Sequence, residues 1–550
     1  MQQIRDLPSP TAKLYIANFR RGKHTQTTRF YSTISTVGTR MRAHLPGWSA
    51  LGGLFAVLLA INLWSLLRFP APFIDEAWFA SRAWGLIQTG QAFGTLDSGV
   101  FDRFEGYGTF FPWLPVWLQS LSLRQFIEPT VFSVRIVSLV FGMVLLMAVF
   151  AAGRSLGGKR LGLLAALITG TSLPFLYTAH VGRYDIIAAA FGYLALAIYL
   201  VNRQAQRWPG GLLAGLLIGL AFEVHPHSVI FGPAILALYW LDLRGELFKR
   251  GHFWSFILGV LLGLLFFVER HLLHYPQTYL ALSRLAFTTT HTPPLLTLDA
   301  RIIGQAIIEA GDTALGAYPL LLPGILVAVF TLIRRKSSEA RILLTLCTTL
   351  LILHTLLVRN KINYYIILIS PAFDLALGWY LLETYEMPWR SRAKDYVNRV
   401  IWGLLGLSIL TSMFIIVRSG DQGYPVVQSR INRLVSAGDI IMGPQTFWFG
   451  LQQHKYYSWE QLVFYERYAP DSDVEDAFVA LQPDIFIVDW FMERYISDQP
   501  GEGVYQQNLW LPRRELQAFL DSHATLLATI DGLGWVPVKV YRIKWESVDG

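Results

Sequence analysis

Apolar residues gather along this chain in repeated runs of roughly twenty, the length of helix that crosses about 30 Å of hydrocarbon. They fall at residues 47–69, 131–153, 160–179, 184–201, 209–223, 226–241, 252–269, 315–333, 340–358, 362–381 and 399–417, and short basic segments separate many of them. The pattern predicts eleven membrane-spanning helices. The pair at 209–223 and 226–241 is short, so a re-entrant hairpin or a tilted, broken pair stays open there. Beyond residue 418 the periodicity changes. Asp439–Gly443 (DIIMG), Asp484–Asp489 (DIFIVD) and Val536–Ile543 (VPVKVYRI) read as strands, and Glu515–Ser522 reads as a helix. The expected fold class is an α-helical polytopic membrane protein with a C-terminal soluble α/β domain of about 130 residues.

Composition agrees with a lipid-solvated chain: 53% of the 550 residues are hydrophobic and 15% are charged, which excludes a single large soluble core. The net charge of +8 belongs largely to the segments between spans. With the N-terminus inside, each cytoplasmic loop is basic. The loops hold Arg154, Lys159 and Arg160; Arg203 and Arg207; Arg244, Lys249 and Arg250; Arg334, Arg335, Lys336 and Arg341; and Arg390, Arg392, Lys394 and Arg399. The expected organisation is a cytoplasmic basic arm over 1–46, a transmembrane domain over 47–417 with external loops at 69–130 and 270–314, and an external α/β domain over 418–550. The arm also has the Arg, Ser and Thr content of an organelle transit peptide, and Met41 is an alternative start. The single cysteine, Cys347, rules out an intrachain disulfide and a cysteine-based metal site.

Charges at the external ends of spans are costly and mark function. Four stretches qualify. Asp75 and Glu76 follow the first span and open an amphipathic helix with Arg82, Trp84, Leu86 and Ile87, for which Asp75 as N-cap is the plain alternative. His180-Val-Gly-Arg183-Tyr-Asp185 closes the turn between the third and fourth spans, where an ordinary ion pair is the bland reading. Glu223-Val-His225-Pro226-His227 offers carboxylate and imidazole groups to a metal or phosphate, against the usual structural role of histidines at a helix turn. Arg359-Asn-Lys361-Ile-Asn363-Tyr364-Tyr365 puts cations outside, which an anionic ligand explains. A lipidic, anionic substrate fits all four, and a lipid-linked sugar phosphate is such a molecule: cations hold its phosphate while a carboxylate deprotonates an incoming hydroxyl.

In these motifs the sequence resembles the GT-C glycosyltransferases, of the protein O-mannosyltransferase and aminoarabinose-transferase type. The resemblance rests on Asp75-Glu76 after the first span, Arg183-x-Asp185 leading into the fourth, and Lys361-x-x-Tyr364 with Pro371 in the tenth. It implies a GT-C fold and inverting transfer of a sugar from a polyprenyl-phosphate carrier to a protein, lipid or glycan acceptor at the external membrane face. By carry-over Asp75 is the general base, and Glu76 serves acceptor or metal binding. Asp185 orients the acceptor or assists the acid site, and Arg183, Lys361, Arg359 and Tyr364 attend the donor phosphate. Where relatives carry a Lys-Gly pair this chain has Glu223-Val-His225, which makes His225 a replacement phosphate contact and Glu223 an acceptor or metal contact. Asp97, Asp102 and Glu105 are near enough in sequence to bind an acceptor, although a solvated loop face explains them better. A divalent metal is left open.

Two other classes compete. A transporter or flippase of an anionic lipid or lipid-linked sugar also has many spans, but alternating access favours repeats and polar groups at the midplane. A silent scaffold displaying the C-terminal domain leaves the external cations without a cause. Compact loops and the lack of an endoplasmic-reticulum signal point to a prokaryotic plasma membrane.

Overall fold

The computed structural model describes residues 47–126, 128–288, 318–358, 363–386, 392–419, 423–497, 510–532 and 536–545. The chain divides into two compact units, Met1–Val57 and Leu58–Gly550. The basic arm over 1–46 lies outside the described residues, as does much of the expected loop 270–314.

Among the described residues, most of each predicted apolar run lies on a helix. In chain order the helices are α1 (Gly47–Ser65), α2 (Ile74–Thr89), α3 (Trp113–Leu123), α4 (Val131–Thr171), α5 (Leu173–Ala179), α6 (Asp185–Asn202), α7 (Trp208–Val224), α8 (Phe231–Leu243), α9 (Gly251–Phe267), α10 (Pro276–Thr288), α11 (Leu322–Arg334), α12 (Ser338–Leu357), α13 (Ser370–Glu386) and α14 (Arg392–Arg418). Among the described residues five of these, α4, α6, α9, α12 and α14, are long and apolar enough to cross a membrane. α4 covers two of the predicted runs because it breaks at Gly157 and Gly158, whose dihedrals are not helical. Gly158 takes φ +79°, a conformation that L side chains rarely adopt. The halves then run back along each other, with Gly153 against Gly162 and Leu146 against Gly170.

α7 and α9 pack by small residues. Gly211, Gly215 and Gly219 recur every four residues on α7, and Gly259 and Gly263 do so on α9. A Cβ at Gly215 would stand 2.0 Å from the Phe256 carbonyl oxygen, and one at Gly259 would stand 2.1 Å from that of Leu212. The pairs 211/252, 215/256 and 219/263 advance together, so the two helices are parallel and in register.

The C-terminal residues form α15 (Tyr424–Asn432), β1 (Ile441–Gly443), β2 (Tyr456–Ser458), α16 (Glu460–Tyr468), α17 (Val474–Leu481), β3 (Ile485–Val488), α18 (Trp490–Glu493), β4 (Ile496–Ser497), β5 (Leu511–Pro512), α19 (Arg513–His523), β6 (Ala524–Ile530) and β7 (Val538–Ile543). All three predicted strands and the predicted helix are present. The main sheet has the order β2-β1-β3-β7-β6, with β1 parallel to β2 and β3, and β7 antiparallel to β3 and β6. Central β3 reads Ile-Phe-Ile-Val because both its faces are covered. Phe486 and Val488 pack with Phe478 of α17 and Phe519 of α19, whereas Ile485 and Ile487 pack in one cluster with Ala77 and Ala80 of α2. In that cluster the helix that carries Asp75 and Glu76 packs against the Gln445–Trp448 turn that follows β1. The sheet domain also grips the first loop, where the Trp448 indole donates to Thr95 Oγ1 and the Gln461 amide donates to the Leu96 carbonyl, each at 3.1 Å.

Glu460 opens α16 in a buried position, its Oε1 accepting from the Gln445 amide at 2.9 Å. Burial pushes its carboxyl up to about 8 from an ordinary value of 4.5. Between those values the folded chain holds a proton that the unfolded chain has released, so this group's stabilisation is lost as pH rises. Thermal unfolding in detergent is expected to move to lower temperature between about pH 5.5 and about pH 8. Glu460→Gln keeps the shape and the amide contact and is expected to make that slope shallower; an unchanged slope would remove Glu460 as its source.

Candidate active site

The site forms where α2, the turn between α5 and α6, and the α7–α8 connection meet. α2 begins after extended Phe73, and Glu76 folds back as third residue of the helix so that its Oε2 accepts the Phe73 N–H at 2.7 Å. The capping role expected for Asp75 thus belongs to Glu76. Asp75, one residue earlier, is free of that duty.

Glu76 is fully buried, and each of its oxygens accepts twice. Arg135 Nε donates to Oε1 at 2.7 Å and Arg135 Nη2 to Oε2 at 2.9 Å, while the Gly182 N–H reaches Oε1 at 2.8 Å. Arg135 Nη1 also binds the Leu66 and Pro70 carbonyls at 2.7 and 3.0 Å. This corrects the expected role of Glu76 in acceptor or metal binding: with every lone pair used and no exposure, its carboxylate is part of the scaffold around Arg183. It locks together the entry to α2, the start of α4 and the residue before Arg183.

Arg183 is the hub. Its Nη1 pairs with Asp75 Oδ2, and its Nε donates to Asp185 Oδ2 at 2.7 Å. The guanidinium lies 4.3 Å from the Tyr364 ring centre. Tyr364 in turn stacks on Tyr177, and the two hydroxyls are 3.0 Å apart. Asp185 is buried at the first residue of α6, and its Oδ1 faces His225 Nε2 at 3.6 Å. The His225 Nδ1 accepts from the His227 N–H at 3.2 Å, and both rings pack on Tyr365. Asp75 has the most exposed side chain of these ionised groups, at 24% against 8% for Arg183 and 1% for Asp185. It is the more accessible of the two carboxylates paired with Arg183.

The structure thus joins Asp75, Arg183, Asp185, His225 and Tyr364, which the sequence had placed only on one side of the membrane. Arg359 and Lys361, expected at the donor phosphate, lie outside the described residues. Glu223 is corrected. Its Oε1 accepts the N–H groups of Trp113 and Leu114 at 2.6 and 3.0 Å, and His271 Nε2 stands 3.4 Å away, so this carboxylate caps α3 from 110 residues along the chain. Oε1 is fully engaged in this cap and Oε2 takes a longer contact of 3.2 Å from the Leu114 N–H, so the buried carboxylate is turned to the entry of α3. Asp102 is exposed and its Oδ1 accepts the Gly99 N–H at 3.0 Å, outside the Arg183 network.

Asp97 is corrected as well. Expected on a solvated loop, it is fully buried and holds Arg82 through two bonds of 2.8 and 2.7 Å, with the guanidinium 3.8 Å from the Phe111 ring centre. Burial pushes its carboxyl up, against the pull of Arg82. That pair ties α2 to the first loop. Among the described residues no group of three His, Cys, Asp or Glu side chains is arranged to hold a metal ion.

Residues 111–272 match the family described as dolichyl-phosphate-mannose-protein mannosyltransferase. The fold is similar to that of ArnT from Cupriavidus metallidurans in the apo state, with a TM-score of 0.59 at 15% identity over 90% of this chain and 98% of that one. The same protein bound to undecaprenyl phosphate gives a TM-score of 0.58 at 14% identity, again over 90% and 98%. The apo oligosaccharyltransferase of Archaeoglobus fulgidus gives 0.48 at 13%, over 89% and 80%. Among curated protein sequences none matches this chain.

Proposed function

We propose that this chain, an integral membrane glycosyltransferase of the GT-C type, moves a sugar with inversion from a polyprenyl-phosphate carrier to an acceptor hydroxyl at the external membrane face. The observation that carries the reading is Arg183 held between two carboxylates of unequal exposure. Asp185 is the buried partner that fixes the guanidinium; Asp75 is the accessible one. The similar ArnT structure holds undecaprenyl phosphate, which supports a carrier of that chemistry.

The acceptor O–H attacks the anomeric carbon from the face opposite the phosphate. A carbon–oxygen bond forms to the acceptor, the bond to the phosphate oxygen breaks, and the phosphate departs with the electron pair. Asp75 takes the hydroxyl proton. Arg183, with Lys361, neutralises the charge that builds on the leaving phosphate, so no general acid is needed. A carboxylate paired with Arg183 is a poor base. When a donor phosphate draws the guanidinium toward itself, Asp75 regains basicity, which couples donor binding to base activation. His225 and Tyr364 keep the Asp185–Arg183 pair in place. No step is assigned to a metal ion. The charge pattern supports a cytoplasmic N-terminus and an external sheet domain, and the compact loops support a prokaryotic plasma membrane as the setting.

The test is purified protein with polyprenyl-phosphate sugars radiolabelled in the sugar, in the presence of a membrane extract as acceptor source. Label is expected to leave the lipid phase and appear on acceptor with inverted anomeric configuration. Label that stays on the lipid and only changes leaflet in reconstituted vesicles would establish transport instead.

A further inference from the structure

The parallel pair α7 and α9 has a second end, and it is built differently from the one at the active site. At one end Glu223 and His271 meet the first loop. At the other both helices begin side by side, because their glycine contacts hold them in register. α7 is 17 residues long, which separates its two ends by roughly 25 Å. Neither α7 nor α9 has a side-chain cap at its N-terminus, so first-turn N–H groups and the positive ends of two helix dipoles point the same way.

Between these ends lies an open cleft of about 650 Å³ lined by Arg207, Trp208, Lys249, Arg250, Gly251 and His252 among others. Arg250 is paired with Glu246 at 2.5 Å. Arg207 and Lys249 are exposed on either side. His252 is 3% exposed, and its Nε2 is buried without a hydrogen-bond partner. The other ring nitrogen, Nδ1, is 2.8 Å from the Tyr239 hydroxyl, closer than that hydroxyl is to the His252 carbonyl at 3.3 Å. The tautomer in which Nδ1 accepts the tyrosine proton carries its ring N–H on Nε2 and gives the cleft wall a buried donor. Leaving such a donor unmade costs about 1–3 kcal/mol, so a ligand that accepts from it gains correspondingly. Trp208 lines the cleft and stands exposed, as do Phe248 and Trp254, which flank the Lys249–His252 wall in sequence, and aromatic residues settle at the level of lipid headgroups.

We propose that this cleft binds a phosphate group carried by an anionic phospholipid, at the end of α7 and α9 remote from Arg183. Two helix N-termini, the Arg207 and Lys249 side chains and the Nε2–H of His252 supply donors and positive potential for the phosphate. The aromatic rim seats the glycerol and upper acyl region. The site does not depend on the sugar-transfer reaction at Arg183.

Delipidated full-length protein in neutral detergent is to be titrated with phosphatidylglycerol, phosphatidylcholine and inorganic phosphate, reading retained lipid by intact-complex mass spectrometry and thermal stability. Saturable retention is expected for phosphatidylglycerol and not for phosphatidylcholine. With about 1 kcal/mol for each basic side chain at an anionic headgroup, the double variant Arg207→Gln/Lys249→Gln is expected to bind about 30-fold more weakly. Arg207→Lys/Lys249→Arg, which keeps both charges, is expected to bind as wild type does, and both positions are exposed enough for the variants to fold. Equal retention of phosphatidylglycerol by the neutral double variant, or equal retention of phosphatidylcholine by wild type, overturns the site. Inorganic phosphate that displaces the lipid and stabilises the protein as well would assign the cleft to a free anion and overturn the lipid reading.

Discussion

Asp75→Asn is expected to slow sugar transfer by about 10²–10⁴-fold while leaving the donor bound at least as tightly as in wild type. The asparagine has the size of the carboxylate and cannot take a proton from the acceptor hydroxyl. It also removes one of two negative charges from Arg183, whose Nε stays anchored on Asp185 at 2.7 Å. The guanidinium is then freer to meet a phosphate, so affinity holds or rises as turnover falls. A lost structural salt bridge would act the other way: stability and donor affinity would drop together with rate. Single-turnover loss of label, measured with saturating donor, and donor affinity, measured without acceptor, separate the two. A transfer rate within about 3-fold of wild type would take Asp75 out of the base role. Since the proposed mechanism couples donor binding to Asp75 through Arg183, Arg183→Ala is the natural companion, with weaker donor binding and slower transfer expected.

The apolar runs were legible because lipid imposes a length and composition on every span, and the C-terminal strands because a sheet imposes alternation or a short apolar burst. The charged stretches around Asp75, Arg183, His225 and Tyr364 were legible for a related reason: charge next to hydrocarbon needs a cause. What spacing could not supply was partnership. Glu223 looked like a ligand because a carboxylate beside two histidines has the right atoms; its partners are two backbone N–H groups 109 and 110 residues away. Asp97 looked solvated because it shares a loop with Asp102 and Glu105, yet it is buried against Arg82. Arg135 escaped notice altogether. Its one signal was a charge five residues into an apolar helix, and that signal names a need for a counter-ion without naming Glu76. The packing of α2 against the Gln445–Trp448 turn was equally hidden, since Ala77 and Ala80 are too small to advertise a burial site.

Removing the Glu76 carboxylate is expected to be the most destabilising single change at the site. Glu76 and Arg135 are both without exposure and meet through two charge-assisted bonds. Their attraction is set against a large desolvation cost, so the pair adds little net stability compared with an apolar replacement. Deleting one partner is another matter: Glu76→Ala leaves a guanidinium buried and uncompensated, at about 3–5 kcal/mol. It also strands the Phe73 and Gly182 N–H groups, loosening the entry to α2 and the residue before Arg183. Glu76→Gln should fall between, because the amide retains one oxygen acceptor but not the charge. The informative double variant is Glu76→Gln with Arg135→Met, which removes both charges. If the loss in Glu76→Ala comes from an orphaned cation, the double variant unfolds at a higher temperature than Glu76→Gln alone and recovers part of its transfer rate. A role of Glu76 in the chemistry gives a different result: stability returns in the double variant while transfer stays as slow as in Asp75→Asn. Thermal unfolding and single-turnover transfer on the same preparations distinguish a residue that holds Asp75 and Arg183 in place from one that acts on the substrate.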